Sequence, residues 1–289
     1  MKSEGCNVKS EGCNVNSEKL EDIEISLFLD GIHQRYGFDF RDYSDASLKR
    51  RIWKCVHSEG LQTITRLLDR VLHDPVCMER FLMTVSVDTT SMFRDPDFYR
   101  AFRQKVVPLL RNLPLIRIWH AGCASGEEVY SMAILMQEEG LYDKCRIYAT
   151  DMSEVILEKA KSGIFPLRFM QEYTGNYLKA GSLGGSFSEY YTASHEHVLF
   201  KPSLKKNIVF AQHNLVTDGS FNEFQVIICR NVMIYFNKKL QDRVHRLFFD
   251  SLSLSGFIGL GKSETIRFTP CEESYEVLDA EQKLYRKVR

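Results

Sequence analysis

The chain has 289 residues, 44% hydrophobic and 26% charged, which supplies ample core material and excludes a fibrous or wholly disordered class. Lys plus Arg and Asp plus Glu both total 38, so bulk attraction to nucleic acid or acidic lipid is excluded, and charge-driven docking must come from a local patch. No run of about 18 apolar residues occurs, and Met1 to Glu24 lacks an apolar signal core, so neither a membrane span nor a secretory leader is expected.

The first residues carry a tandem repeat, Lys2 to Val8 and then Lys9 to Val15. Two copies of seven cannot bury a core, so residues 1–19 are expected to be a disordered tail. Cys6 and Cys13 would be only half of a metal site. From 20 to 86 the apolar spacing is helical and predicts a small all-α domain. Ile23, Leu27 and Ile32 suggest a first helix ending near Gly37. Ser47 is a candidate cap for a second, with Leu48, Ile52, Cys55 and Val56 on one face and Arg50, Lys54 and His57 opposite, flanked by Lys49 and Arg51. Two further helices are expected at Ile64–Leu72 and Val76–Met83.

Residues 87–98 read as a linker, in which Asp95-Pro96 looks like a cap followed by a first-turn proline. From 99 to 289 strands alternate with helices. Strands are expected at 115–120, 145–150, 207–212, 224–229 and 256–261, and helices at 127–139, 153–161 and 238–252, the pattern of a parallel α/β sheet. Tyr275 to Lys287 suggests one or two antiparallel edge strands. Residues 164–206 break the alternation, and a small antiparallel β insertion is placed at about 186–206. His195 and His197 flank its turn and are read as solvated, because zinc needs three or four ligands. The eight cysteines are dispersed, without a C-x-x-C pair, which fits reduced thiols in a cytoplasmic protein; no metal is expected.

The chemistry concentrates at Ile116 to Glu128: a buried strand, a turn of small residues, and a helix opening on two carboxylates. A second strand then ends in Asp151. Strand, small-residue turn, helix, strand and acid is the layout of a nucleotide-type site, the acid accepting from two ribose hydroxyls. The turn reads Gly122-x-Ala124-x-Gly126, not G-x-G-x-x-G. Glu127 and Glu128 would repel a pyrophosphate at the helix start, which argues against a nicotinamide-dependent oxidoreductase. They suit a cationic ligand such as S-adenosylmethionine, or else simply complement the helix dipole.

Three more segments would converge on such a ligand: Asp88 to Arg94, His213 to Leu215, and Cys229 to Phe236. With Cys229-Arg-Asn-Val-Met-Ile-Tyr-Phe236 as the most specific, Ala124 to Glu128, Thr90-x-x-Phe93-Arg94 and Glu158 to Ile164 in support, residues 20–289 resemble the CheR family of chemotaxis-receptor methyltransferases. The resemblance implies a Rossmann-like S-adenosylmethionine-dependent methyltransferase sheet. It implies methylation of glutamates on chemoreceptors, methyl-accepting chemotaxis proteins, with S-adenosylhomocysteine as the other product. Asp88, Thr90, Arg94, Glu128, Asp151, Asn214, Leu215, Arg230 and Asn231 would hold the cofactor, and Arg94 and Tyr235 would lie near the methyl group. Asp88 departs from the family's usual asparagine. In some members the insertion binds a receptor tether; here Tyr191 to Val198 is shorter than that role asks. The partner implied is the receptor's cytoplasmic helical bundle, and the enzyme is expected to be monomeric. The basic face of the second helix, with Arg50 and Lys54, reads either as an ordinary solvated face or as the surface that docks on the acidic methylation region of that bundle. The alternative is a cofactor-binding sensor or scaffold without turnover.

Overall fold

A computed structural model describes residues 11–85, 90–183 and 185–289, with side chains from residue 18 onward, and the chain divides into two compact units, Met1–Val85 and Ser86–Arg289. The first unit holds α1 (Glu11–Tyr36), α2 (Asp45–Ser58), α3 (Ile64–His73) and α4 (Pro75–Val85). Its α1 reaches into the second copy of the heptapeptide, which corrects the expected tail at residues 11–19; residues 1–10 lie outside the described ones.

The buried face of α1 is Phe28, Leu29 and Ile32, while Ile23 and Leu27 are exposed, so the face anticipated from spacing is rotated. Phe28 and Phe40 both meet Phe81 edge-on, at 4.9 and 5.8 Å between centroids. On α2 the expected face is buried, Leu48, Ile52, Cys55 and Val56, but the residue at the N-cap is Ser44, not Ser47. Arg51 is buried and donates to the Val85 carbonyl. Thr63 caps α3 by accepting from the Arg66 N–H at 3.2 Å.

The second unit begins with α5 (Pro96–Lys105) and α6 (Val107–Leu110) and then winds around β1 (Ile116–Ala121), α7 (Glu127–Glu138), β2 (Cys145–Asp151), α8 (Glu154–Ser162), β6 (Ile208–Gln212), β7 (Phe224–Cys229), α11 (Lys238–Ser251) and β8 (Leu252–Leu260). The antiparallel edge is β9 (Tyr275–Asp279) and β10 (Leu284–Lys287), and the sheet order is β6-β2-β1-β7-β8-β10-β9. The five strands from β6 to β8 run parallel, with Ile116 opposite Cys145 and Cys229 opposite Leu260. Short continuous apolar runs such as Val226 to Cys229 produce this, because a parallel sheet is covered on both faces. The chain leaves β1 toward β2 but leaves β7 toward β8, so the strand order reverses between β1 and β7, where open α/β sheets bind ligands.

The insertion is larger than anticipated. A three-stranded antiparallel sheet forms from β3 (Ile164–Pro166), β5 (His197–Phe200) and β4 (Tyr191–Ser194), and the unanticipated α9 (Met170–Lys179) lies between β3 and β4 in the chain. A short α10 (Pro202–Lys205) returns the chain to β6. His195 has φ 49° in the turn and His197 opens β5; both are exposed. Among the described residues no group of three or more His, Cys, Asp or Glu is placed to hold a metal ion, and no helix is long and apolar enough to cross a membrane.

One titration bears on the stability of this unit. Burial, aided by nearby Lys238, pushes the His245 imidazole on α11 down from 6.5 to about 4. The unfolded chain then takes up a proton first as pH falls. The stability tied to neutral His245 is fully present above pH 6.5 and is lost between 6.5 and 4, amounting to about 3 kcal/mol. Urea unfolding of His245→Gln should show a flatter loss of stability over that window than wild type. Parallel pH profiles would remove His245 as the cause.

Candidate functional site

The edge of the sheet at β1 and β7 is built first from backbone. Gly122 (φ 76°), Ala124 (φ 46°) and Gly126 (φ 95°) bend the chain sharply after β1, and the Gly122 and Cys123 N–H groups both donate to the Thr150 carbonyl at 2.9 Å. A Cβ on Gly122 would lie 2.6 Å from Val232 Cγ2, so only glycine lets this turn approach the segment after β7.

Asp151, at the end of β2 and buried, accepts from the Ala124 N–H and the Ser153 N–H, both at 3.1 Å. It therefore anchors the turn in addition to the ligand role anticipated for it, and a carboxylate with about four acceptor positions has capacity for both. Asp151→Ala should weaken cofactor-product binding by about 1.5–3 kcal/mol, the scale for a hydrogen bond to a charged acceptor. Unchanged affinity in titration calorimetry would take Asp151 out of the site.

The two helix-opening acids behave differently. Glu127 is buried and engages Ser125 Oγ at 2.7 Å and Tyr173 Oη at 3.4 Å. Glu128 accepts from His120 Nδ1 at 3.1 Å and from Arg230 Nη1 at 2.8 Å. Burial raises the Glu128 pKa, but His120 and Arg230 outweigh it and hold the carboxyl below its ordinary range. Because an ionised carboxylate only accepts, His120 carries its proton on Nδ1.

Arg230 is the hub. Its side chain is 1% exposed and pairs with Glu128 and, at 2.7 Å, with Asp95, while Nη2 also donates to the Arg94 carbonyl at 3.1 Å. Its guanidinium lies 4.2 Å from the Phe98 ring centroid. Burial lowers the guanidinium pKa, yet Glu128, Tyr99 and Asp95 raise it further, so the group stays charged. The linker, the start of α7 and the end of β7 thus converge on one side chain. Asp95 was expected to cap α5; it has φ 55°, makes no capping bond, and spends its carboxylate on Arg230.

The remaining expected residues fall as follows. Asp88 lies outside the described residues, and Thr90 is half-buried at the start of the described linker. Asn214 folds on its own turn, its Oδ1 accepting from the Val216 N–H at 3.0 Å, and Leu215 is buried beside it. Asn231 has φ 62°. Tyr235 closes a 3₁₀ turn, Met233–Tyr235, that Gln241 holds by donating to the Met233 and Phe236 carbonyls at 3.1 and 3.0 Å. Burial pushes the Cys123 and Cys229 thiols well above their ordinary pKa, so neither is a nucleophile at neutral pH.

Glu264 was not anticipated. It is buried and accepts four backbone N–H groups: Gly261 at 2.6 Å, Asn231 at 3.0 Å, Val232 at 2.9 Å and Met233 at 2.8 Å. This carboxylate locks the segment after β7 to the end of β8.

Acids face the ligand edge where a pyrophosphate site would offer bare N–H groups, so a phosphate-free, cationic adenosyl ligand fits these residues. A sheet with this switch-point edge suits an S-adenosylmethionine-dependent methyltransferase. Comparison with known proteins narrows the class. The model of the CheR methyltransferase S-adenosylmethionine-binding domain matches residues 88–283, and that of the CheR methyltransferase all-alpha domain matches 23–86. The chain belongs to the CheR family, as the resemblance implied. Cher3 of Pseudomonas putida is 46% identical over 270 residues, 93% of this chain and 98% of its own. A chemotaxis protein methyltransferase of Listeria monocytogenes is 30% identical over 235 residues, 80% of this chain and 85% of its own. One from Salmonella typhimurium is 27% identical over 241 residues, 81% of this chain and 80% of its own.

Proposed function

We propose that this methyltransferase acts in the cytoplasm, as a monomer, on glutamate side chains of chemoreceptor helical bundles, giving methyl esters and S-adenosylhomocysteine. Two of the relatives above are named chemotaxis protein methyltransferases. The observation that carries the reading is the Arg230 hub, which ties the Arg94 linker to the segment leading to Tyr235 beside an acid-lined ligand edge. S-adenosylmethionine, when bound, supplies an electrophilic methyl group on a sulfonium. Asp151 and Glu128 would hold it, with Thr90, Asn214, Leu215 and Asn231 completing the wall. A glutamate acceptor is already ionised at neutral pH, so no base has to remove a proton. What the chain must supply is alignment and exclusion of water. Arg94 orients the carboxylate without pairing so firmly that its nucleophilicity is lost, and Tyr235 lines the approach.

Transfer of labelled methyl to a receptor cytoplasmic fragment tests this. The label should be released as methanol at alkaline pH, as an ester requires. Alkali-stable label, or none, would overturn the glutamate assignment.

Recognition of the bundle is assigned to α2. Arg50, Lys54 and His57 are exposed opposite the buried Leu48/Ile52/Val56 face. The patch is narrower than the sequence suggested, since Lys49 pairs with Glu21 and Arg51 is buried. Target glutamates make the bundle negative, and a basic face steers encounter. Reversing Arg50 and Lys54 to Glu should slow receptor methylation, most at low salt, and leave cofactor-product affinity intact. Wild-type rates at low salt would end the role of α2.

A further inference from the structure

The loop after β8 presents an unusual feature. Phe268 is 85% exposed, more than any other large hydrophobic residue described, and sits at φ 62°. A bulky residue in the left-handed region is strained, and such strain persists where the surroundings over-determine it. The surroundings here do. Ile266 is buried, Glu264 ties the loop base to Asn231, Val232 and Met233, the Phe268 N–H donates to Glu272 Oε2 at 2.6 Å, and Lys238 Nζ donates to the Phe268 carbonyl at 2.7 Å. The ring is therefore held outward on a braced loop.

Its position matters. Because β8 runs parallel to β7 with Leu260 opposite Cys229, this loop leaves the sheet at the same edge as the Arg230–Phe236 segment. Lys238, which holds the Phe268 carbonyl, lies three residues beyond Tyr235, and Ile234 beside Tyr235 is itself 38% exposed. Exposed Lys262 and Arg267 precede the ring in the same loop, Arg267 directly. Of the acids near the loop, Asp242 pairs with Lys238 at 2.8 Å, Asp95 with Arg230 and with Lys262 at 3.5 Å, and Glu272 accepts from the Phe268 N–H, while Glu273 beside it is exposed.

We propose that Phe268 and Ile234 form an apolar contact for the acidic amphipathic helix that presents the acceptor carboxylate, with Lys262 and Arg267 meeting the acids on that helix. This rests on the glutamate reading above. An amphipathic helix offers apolar and acidic side chains one turn apart, which matches an aromatic ring directly preceded by a cation in a loop that carries a second. The surface belongs to the second unit and acts beside the reacting centre, so it governs which glutamate is presented.

The test uses the full chain, with Phe268→Gly and Arg267→Glu, and a soluble receptor helical-bundle fragment. Glycine relieves the left-handed strain, so Phe268→Gly should melt about 2–4 °C higher. It should also bind the fragment about tenfold more weakly by calorimetry, raise KM for the fragment with kcat nearly unchanged, and leave S-adenosylhomocysteine affinity unaltered. Arg267→Glu should weaken fragment binding most at low salt, and Phe268→Leu should restore part of the loss. Equal fragment affinity for wild type and Phe268→Gly would overturn the proposal whatever the transfer assay shows. Weakened binding in a system where wild type transfers no methyl to glutamate would instead uphold the docking surface and overturn the acceptor assignment.

Discussion

Arg230→Ala should lower unfolding free energy by about 3–5 kcal/mol, the cost of removing one partner from a buried ion pair. The reason is what the substitution leaves behind. Glu128 loses its 2.8 Å donor, Asp95 its 2.7 Å donor and the Arg94 carbonyl its 3.1 Å donor, with the void facing the Phe98 ring. Lysine should not rescue, because a single ammonium cannot serve three acceptors in a planar fork and stack on an aromatic face. The double variant Arg230→Met/Glu128→Gln should recover a substantial part of the loss, since the uncompensated charge is what destabilises most. Denaturant unfolding at neutral pH reads all three. An unaltered midpoint for Arg230→Ala would show that the hub is not a brace.

The same residue shows how far sequence reasoning reaches. The Cys229-to-Phe236 segment singled out Arg230 as part of the pocket, but its partners come from residue 95, residue 128 and a backbone carbonyl, which no local spacing reveals. The strands at 116–121, 145–151 and 224–229 were legible because each is short and mostly apolar, as a sheet covered on both faces demands. The helix at Met170–Lys179 was not, since Gly175 and the glycines that follow read as loop, although Met170, Tyr173 and Tyr177 keep a helical face and are buried. Glu264 left no sequence signal at all. In Lys262-Ser263-Glu264 it resembles any solvated acid, and its role exists only once the ends of β7 and β8 lie side by side. Arg51 misled in the opposite direction: one position off the exposed face of α2, it is buried against the Val85 carbonyl and contributes nothing to a docking patch.

Arg94→Ala should reduce single-turnover methylation by about a hundredfold, the scale on which misplacement of reacting groups acts, while weakening cofactor-product binding far less. The expectation follows from where Arg94 is held. Its carbonyl is fixed by Arg230, and the preceding Phe93 N–H donates to Ser131 Oγ at 2.9 Å, so the linker backbone is set independently of the Arg94 side chain. Removing the guanidinium therefore leaves these two backbone bonds in place and, on the proposed reading, takes away the group that steers the acceptor. An interaction used mainly in the transition state lowers kcat more than it changes ground-state binding. Lysine at this position should recover part of the rate, because it keeps the charge but not the planar donor pair. Tyr235→Phe should cost less than Arg94→Ala, since it keeps the ring and removes only a hydroxyl. If Arg94→Ala methylated a receptor fragment at the wild-type single-turnover rate, steering by Arg94 would be ruled out, and alignment would have to come from the surfaces that hold the acceptor helix itself.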